Sequence, residues 1–188
     1  WRNGYEGTSL HDLTDAMGIN PPSLYAAFGD KEHLYLEAVE RYQRWRREQL
    51  GRVLDEEPTA RGALERLLRE LATELSKSCY PSGCLLAMSA SCTSASAHAQ
   101  EALAERRSQA RRRLKERIDR GVRDGDVAAD TDTGALADFY TTVVTGMSMR
   151  ARDGASRRSL LATVDAAMRA WPLPAPGAAK RKPARVTA

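Results

Sequence analysis

Three histidines (His11, His33, His98) and three cysteines (Cys79, Cys84, Cys92) are the side chains here best suited to proton transfer, nucleophilic attack or metal ligation. Their arrangement argues against each use. From Cys79 to Cys84, Cys92 and His98 the gaps are four, seven and five residues, which match no tight zinc pattern. No GxSxG, HExxH or phosphate-binding glycine loop occurs, so the chain reads as a non-enzyme without cofactor or metal. An odd number of thiols does not make a disulfide scaffold, and small buried thiols in a reducing cytoplasm are the plain reading. A cysteine-based redox or metal sensor stays open as the alternative.

The elements that position the remaining polar groups are helices. Of 188 residues 42% are hydrophobic and 29% charged, a globular balance with room for one large domain or two small ones. Aromatics make up only 6%, while Ala, Leu and Arg are abundant, which favours helix over strand. No run of about eighteen apolar residues occurs, so no membrane span is expected. The start, Trp1-Arg2-Asn3-Gly4-Tyr5, shows no signal peptide. The net charge of +4 does not point to a partner, since residues 1–50 hold six basic residues against eight acidic ones. The basic excess lies in 105–123, with nine basic and three acidic residues, and in Lys180-Arg181-Lys182. The first of these runs reads most simply as a solvated helix face, or as the docking face of a helical adaptor.

Thr8 or Ser9 caps a first short helix with apolar positions at Leu10, Leu13, Ala16 and Met17, closed by Gly18. Asn20-Pro21 opens a second short helix, which Gly29 stops, and Asp30 caps a longer one reaching toward Leu50. A leucine stripe (Leu64, Leu67, Leu68, Leu71, Leu75) follows Pro58, and the apolar stretch from Cys84 to Cys92 reads as a buried helix. Further helices cover about His98 to Arg123, 133–149 and 156–171, and the Pro/Ala/Lys tail, 173–188, is expected to be disordered. The chain is therefore expected to be all-α.

Two short helices joined by a glycine turn, the second started by proline, have the layout of a helix-turn-helix. Leu13, Met17, Ile19, Leu24 and Phe28 would close a small core between them and leave the second helix proud of the surface. Spacing alone fits any αα-corner equally well.

The residues narrow this. Gly4-Tyr5-Glu6-Gly7-Thr8-Ser9-Leu10-His11-Asp12-Leu13, Gly18-Ile19, and Pro22 through Leu34 (PSLYAAFGDKEHL) closely resemble the DNA-binding region of TetR/AcrR-type transcriptional regulators. The resemblance covers roughly 1–45, while the rest matches in architecture only. It implies an N-terminal helix-turn-helix domain over 1–45, with Trp1 near the end of a first helix that is cut short. It also implies a ligand-binding and dimerisation domain over 46–172. Thr8 and Ser9 would meet a phosphate, though both also suit a plain N-cap. His11 would reach a base edge or a phosphate. Pro22 would pack on a thymine methyl, and Ser23 would bond a base edge or backbone. Tyr25 would project outward as a base or phosphate contact, against the alternative of a partly buried core phenol. Lys31 would clamp a phosphate, against that of a solvated lysine.

The same resemblance implies a ligand-responsive regulator, a repressor rather than an activator, acting as a homodimer on a palindromic double-stranded operator. The last two helices would form the interface. Its small-residue surface would be Gly134, Ala137, Thr141, Thr145 and Gly146, and its apolar one Leu160, Leu161, Val164, Met168 and Trp171, with intrachain core as the alternative reading. A small apolar or aromatic effector would lie among Leu71, Leu75, Cys84, Met88, Cys92, Phe139, Val143 and Met147, residues that a plain core explains equally well.

Overall fold

A computed structural model describes residues 1–89 and 95–172, the side chain at position 49 aside. The tail and Cys92 lie outside the described residues. Among these every regular element is helical, and no helix is long and apolar enough to cross a membrane.

Local signals start the first three helices. Before α1 (Leu10–Met17) the Ser9 hydroxyl accepts from the Asp12 amide, and the Asp12 carboxylate accepts from the Ser9 amide. Gly18, at φ 64°, then turns the chain through the left-handed region that other residues enter only with strain. Asn20 Oδ1 accepts from the Ser23 amide to start α2 (Pro21–Phe28). Asp30 does the same for His33 at the head of α3 (Lys31–Arg46).

α3 does not stop near Leu50. It passes through a π-helical turn, Arg47–Gly51, into α4 (Arg52–Glu56). Gly51 keeps helical backbone, and a Cβ there would meet the Arg113 guanidinium at 3.1 Å. The boundary expected between residues 45 and 46 thus falls inside a continuous helix, with no linker.

The body comprises α5 (Ala60–Leu75), α6 (Leu85–Met88), α7 (Ala97–Asp124), α8 (Thr133–Arg152) and α9 (Arg157–Arg169). The leucine stripe behaves as its spacing predicts, with Leu64, Leu68, Leu71 and Leu75 buried and Leu67 half-buried. Of the buried helix expected over 84–92, the described part is a single turn. α5 packs on α9 and α7 on α8. Tyr140 is buried between them, with its hydroxyl donating to the Ala167 carbonyl at 3.1 Å and its ring 5.5 Å from that of Trp171. At Gly121 a Cβ would strike Ala60 Cβ at 2.6 Å, so glycine lets the start of α5 lie against α7. Asp126 accepts from the Ala60 amide there, and the buried Arg117 donates to the Glu57 carbonyl.

A second apolar cluster joins head to body. Val39 and Tyr42 of α3 pack with Leu85 and Leu86 of α6 and Leu103 of α7. Around Tyr42, Trp1 lies edge-on at 4.9 Å and Trp45 tilts at 5.9 Å, while the Trp1 indole donates to the Gly83 carbonyl.

Candidate functional site

The α1–α2 corner closes on two side chains. Leu24 is 0% exposed, and the buried Thr14 donates to the Leu10 and His11 carbonyls within its own helix. Leu13, Ile19 and Phe28 are half-buried around them. Met17, expected in this core, is 40% exposed. It is the last residue of α1, and the turn at Gly18 swings the chain away before α2 covers it.

Pro22 and Ser23 are exposed, and Tyr25 is 45% exposed beside the sealed Leu24. These three form an outward face at the N-terminal half of α2. His11 is exposed near the start of α1, with Nε2 3.4 Å from Asp15. The hydroxyls of Thr8 and Ser9 already have partners within the chain: Thr8 donates to the Gly4 carbonyl at 2.7 Å and Ser9 to Asp12 at 2.7 Å. Lys31 is half-buried, its ammonium 4.4 Å above the ring of Tyr5. Hydrogen bonds from Ser9 hold the Asp12 carboxyl below its ordinary range, and bonds from His33 do the same for Asp30. The starts of α1 and α3 therefore each carry a negative charge.

The body holds a cavity of about 260 Å³, open to solvent on one side, between the α3 end with its π turn, α4, α5, α6, α7 and α8. Its walls are apolar, including Leu50, Leu54, Leu67, Leu71, Leu114 and Val144. One side is polar: Tyr42 and Gln43 line it from α3, with Arg46, Arg47 and Arg113. Gln43 Nε2 donates to the Arg106 carbonyl at 3.5 Å, whereas its Oε1 is buried with no partner. The Tyr42 hydroxyl is buried against Cys84 and the Leu85 backbone. Burial pushes this phenol far above its ordinary pKa, with the Cys84 sulfur adding to the effect.

Of the residues expected at a ligand site, Leu71 and Cys84 line the cavity. Leu75 and Met147 are buried in the main core, and Val143 packs against it. Met88 lines a separate recess with Tyr5, Tyr35 and Arg152. Phe139 does not turn inward at all and is 41% exposed. α8 presents Ala137, Tyr140, Met147, Ser148 and Ala151 to the interior, so Phe139, one position off that stripe, points away. Tyr42 and Gln43 escaped the sequence reading: a tyrosine at helical spacing looks like core, and a glutamine looks like surface. Among the described residues no group of His, Cys, Asp or Glu could hold a metal.

The expected interface residues divide. Ala137, Leu160, Val164, Met168 and Trp171 are intrachain core, because they face α5 and Tyr140. Thr145 and Gly146 are exposed, and a Cβ on Gly146 would meet nothing within 4 Å. Phe139, Thr142 and Met149 extend this open face along α8.

Comparison with known proteins adds to this geometry. Residues 58–170 match the model of the tetracyclin repressor-like C-terminal domain, and residues 1–38 that of bacterial regulatory proteins of the tetR family. The chain is 31% identical to the HTH-type transcriptional repressor ComR of Escherichia coli K12, over 92% of this chain and 83% of that protein. It is 30% identical to the repressor BdcR of the same organism, over 86% and 78%. Among solved structures it resembles the TetR family regulator CifR, in a cysteine mutant complexed with 26-base-pair double-strand operator DNA. The TM-score is 0.85 and the identity 44%, over 92% of this chain and 91% of that one.

Proposed function

The chain belongs to the TetR family of transcriptional regulators, and we propose that it is a ligand-responsive repressor that binds a palindromic operator as a homodimer in the cytoplasm. The observation that carries this is the outward face of α2. Pro22, Ser23 and Tyr25 are held out by a fully buried Leu24, at the N-terminal half of a helix that can enter a major groove. The likeness to CifR, solved with operator DNA, supports the same reading. Lys31 supplies a cation for a phosphate, and Thr8, Ser9 and His11 flank it from the start of α1. One such helix reads few base pairs, so affinity calls for two copies. The open face of α8 at Phe139, Thr145, Gly146 and Met149 suits a two-fold contact.

Regulation follows from the path of α3. This helix begins at Lys31 in the head and carries Tyr42, Gln43 and, through the π turn, Leu50 into the cavity wall. A ligand that fits one tilt of the helix better than another shifts the population that binds DNA. Thiol chemistry as the signal rests on Cys84, which lines the same cavity beside Tyr42. Operator affinity that stays unchanged after peroxide, zinc or copper treatment retires that version.

The deciding experiment is selection of bound sequences from a random DNA pool with the full chain. An inverted repeat is expected. Lys31→Ala should lower the dependence of log affinity on log salt by about one, as expected for one lost phosphate contact. Recovery of no common sequence overturns the proposal.

A further inference from the structure

One side of the cavity carries more positive charge than the protein itself answers. Arg46 and Arg47 reach it from α3 and the π turn, and Arg113 from α7. Burial is graded along the lining: Leu50, Leu54 and Leu71 are sealed, Arg46 and Arg113 half-buried, and Arg47 exposed. The guanidiniums therefore stand where the apolar space meets solvent. Among the described residues two carboxylates lie near them: Glu40, 3.5 Å from Arg47 and shared with Arg106, and Asp55, largely in solvent and 3.8 Å from Arg113. Arg46 has neither; it lies over the rings of Tyr42 and Trp45, 5.9 Å from each. Like charges beside a low-dielectric wall repel one another, and an anion placed among them relieves that repulsion. The backbone is adapted to the same spot. The π turn Arg47–Gly51 interrupts an otherwise α-helical course beside the cavity, a distortion frequent at functional sites. Its last residue, Gly51, admits the Arg113 guanidinium, since a Cβ there would meet Nη1 at 3.1 Å. Arg113 gives one of its five N–H donors to the Gly51 carbonyl at 3.4 Å, which leaves others for a ligand.

We propose that the cavity takes a small amphipathic acid, with an apolar body among the leucines and one carboxylate paired with Arg46 and Arg113 at the solvent side. The space sets the size of the body. An engineered apolar cavity of about 150 Å³ holds one benzene, so about 260 Å³ leaves room for a ring with a short substituent. A planar carboxylate matches the two-pronged guanidinium. The competing chemistries fit less well. A hydrocarbon or a neutral amide leaves the positive charge unanswered, and an amine cation is repelled by it. A doubly charged phosphate ester loses more hydration against leucine walls than a carboxylate does. The proposal rests on the ligand-responsive reading for its regulatory meaning, and its binding chemistry is testable without DNA.

The test is calorimetric titration of the full chain at neutral pH with 4-ethylbenzoate, 4-ethylbenzamide and ethylbenzene. The benzoate should bind at least about tenfold more tightly than the amide, roughly the worth of one charge-assisted hydrogen bond. Arg46→Met with Arg113→Met should bring the two within about threefold while the amide still binds, which shows that the cavity is intact. Arg46→Met alone, which breaks no ion pair, should leave an intermediate preference. Arg158→Met, on the exposed side of α9, removes the same charge elsewhere and should leave the preference as it was. Leu67→Trp should abolish binding of all three by filling the cavity. Equal binding of benzoate and amide by the wild type overturns the proposal. So does a preference that survives in both Arg46 variants or vanishes in Arg158→Met, benzoate binding that outlasts Leu67→Trp, or no binding of any probe. Operator release is measured separately. Selective benzoate binding with unchanged operator affinity removes the ligand-responsive reading and leaves the cavity chemistry standing. Operator release by benzoate and amide alike does the reverse.

Discussion

The α1–α2 corner and the α5–α9 body are held together in different ways. The corner has two buried side chains, Leu24 and Thr14, and owes its shape to Ser9, Gly18, Asn20 and Asp30, each acting within a few residues of itself. The body has an extended core in which Leu64, Leu68, Tyr140, Leu160 and Val164, far apart in sequence, seal one another. A region shaped by caps can present polar residues to a partner, because little of its surface is needed inside. A region shaped by packing can enclose a cavity, because its walls are fixed from several directions.

Substitutions should expose this contrast, beginning with the body. Leu68→Ala removes a fully buried side chain from the main core and should cost about 2–5 kcal/mol of global stability in chemical denaturation. A smaller loss, confined to α5 in hydrogen exchange, would mean that the body is not one cooperative unit. Tyr25→Ala should weaken operator binding by about 1–3 kcal/mol, while stability stays within about 0.5 kcal/mol, because the ring is largely in solvent. If the melting transition drops instead, Tyr25 supports the corner rather than contacting DNA.

Ser9→Ala removes the cap of α1 and should cost about 1 kcal/mol locally. Faster amide exchange is expected in α1 with the body unaffected, and exchange rising equally in both regions would mean that corner and body are one unit.

The smallest effect is electrostatic. The Asp30 carboxyl is held below its ordinary range by the His33 amide and ring, so its contribution is complete above the unfolded value, about 3.9, and is lost as pH falls through the lower folded value. An NMR titration should find Asp30 ionising below free aspartate, and Asp30→Asn should remove the matching acid loosening of α3. A normal titration curve would show that the cap does not hold its charge.

How much could be read in advance follows the same division. The Ser9 cap, the Gly18 turn, Pro21 at the head of α2 and Lys31 at the head of α3 each signal in adjacent letters. The pattern also stays helical from Gly51 onward, but nothing near that glycine announces the residue that covers it, Arg113, on another helix. Phe139 was assigned to the inside by a periodicity that fixes a stripe only to within one residue. In α8 that residue is the difference between Tyr140, which is sealed in the core, and Phe139, which faces outward. The family resemblance named the kind of cavity but not Tyr42 and Gln43 at its side.

By itself the sequence determined the helices, their caps and the corner that holds Pro22, Ser23 and Tyr25 outward, since hydrogen bonds and backbone preferences at three- and four-residue spacing are written in the chain. Only the tertiary structure decided which leucines wall the cavity, that Tyr42 and Gln43 join them from α3, and that Leu160, Val164 and Met168 belong to the core. Those outcomes depend on how helices rotate against neighbours distant in sequence, which one helix does not encode.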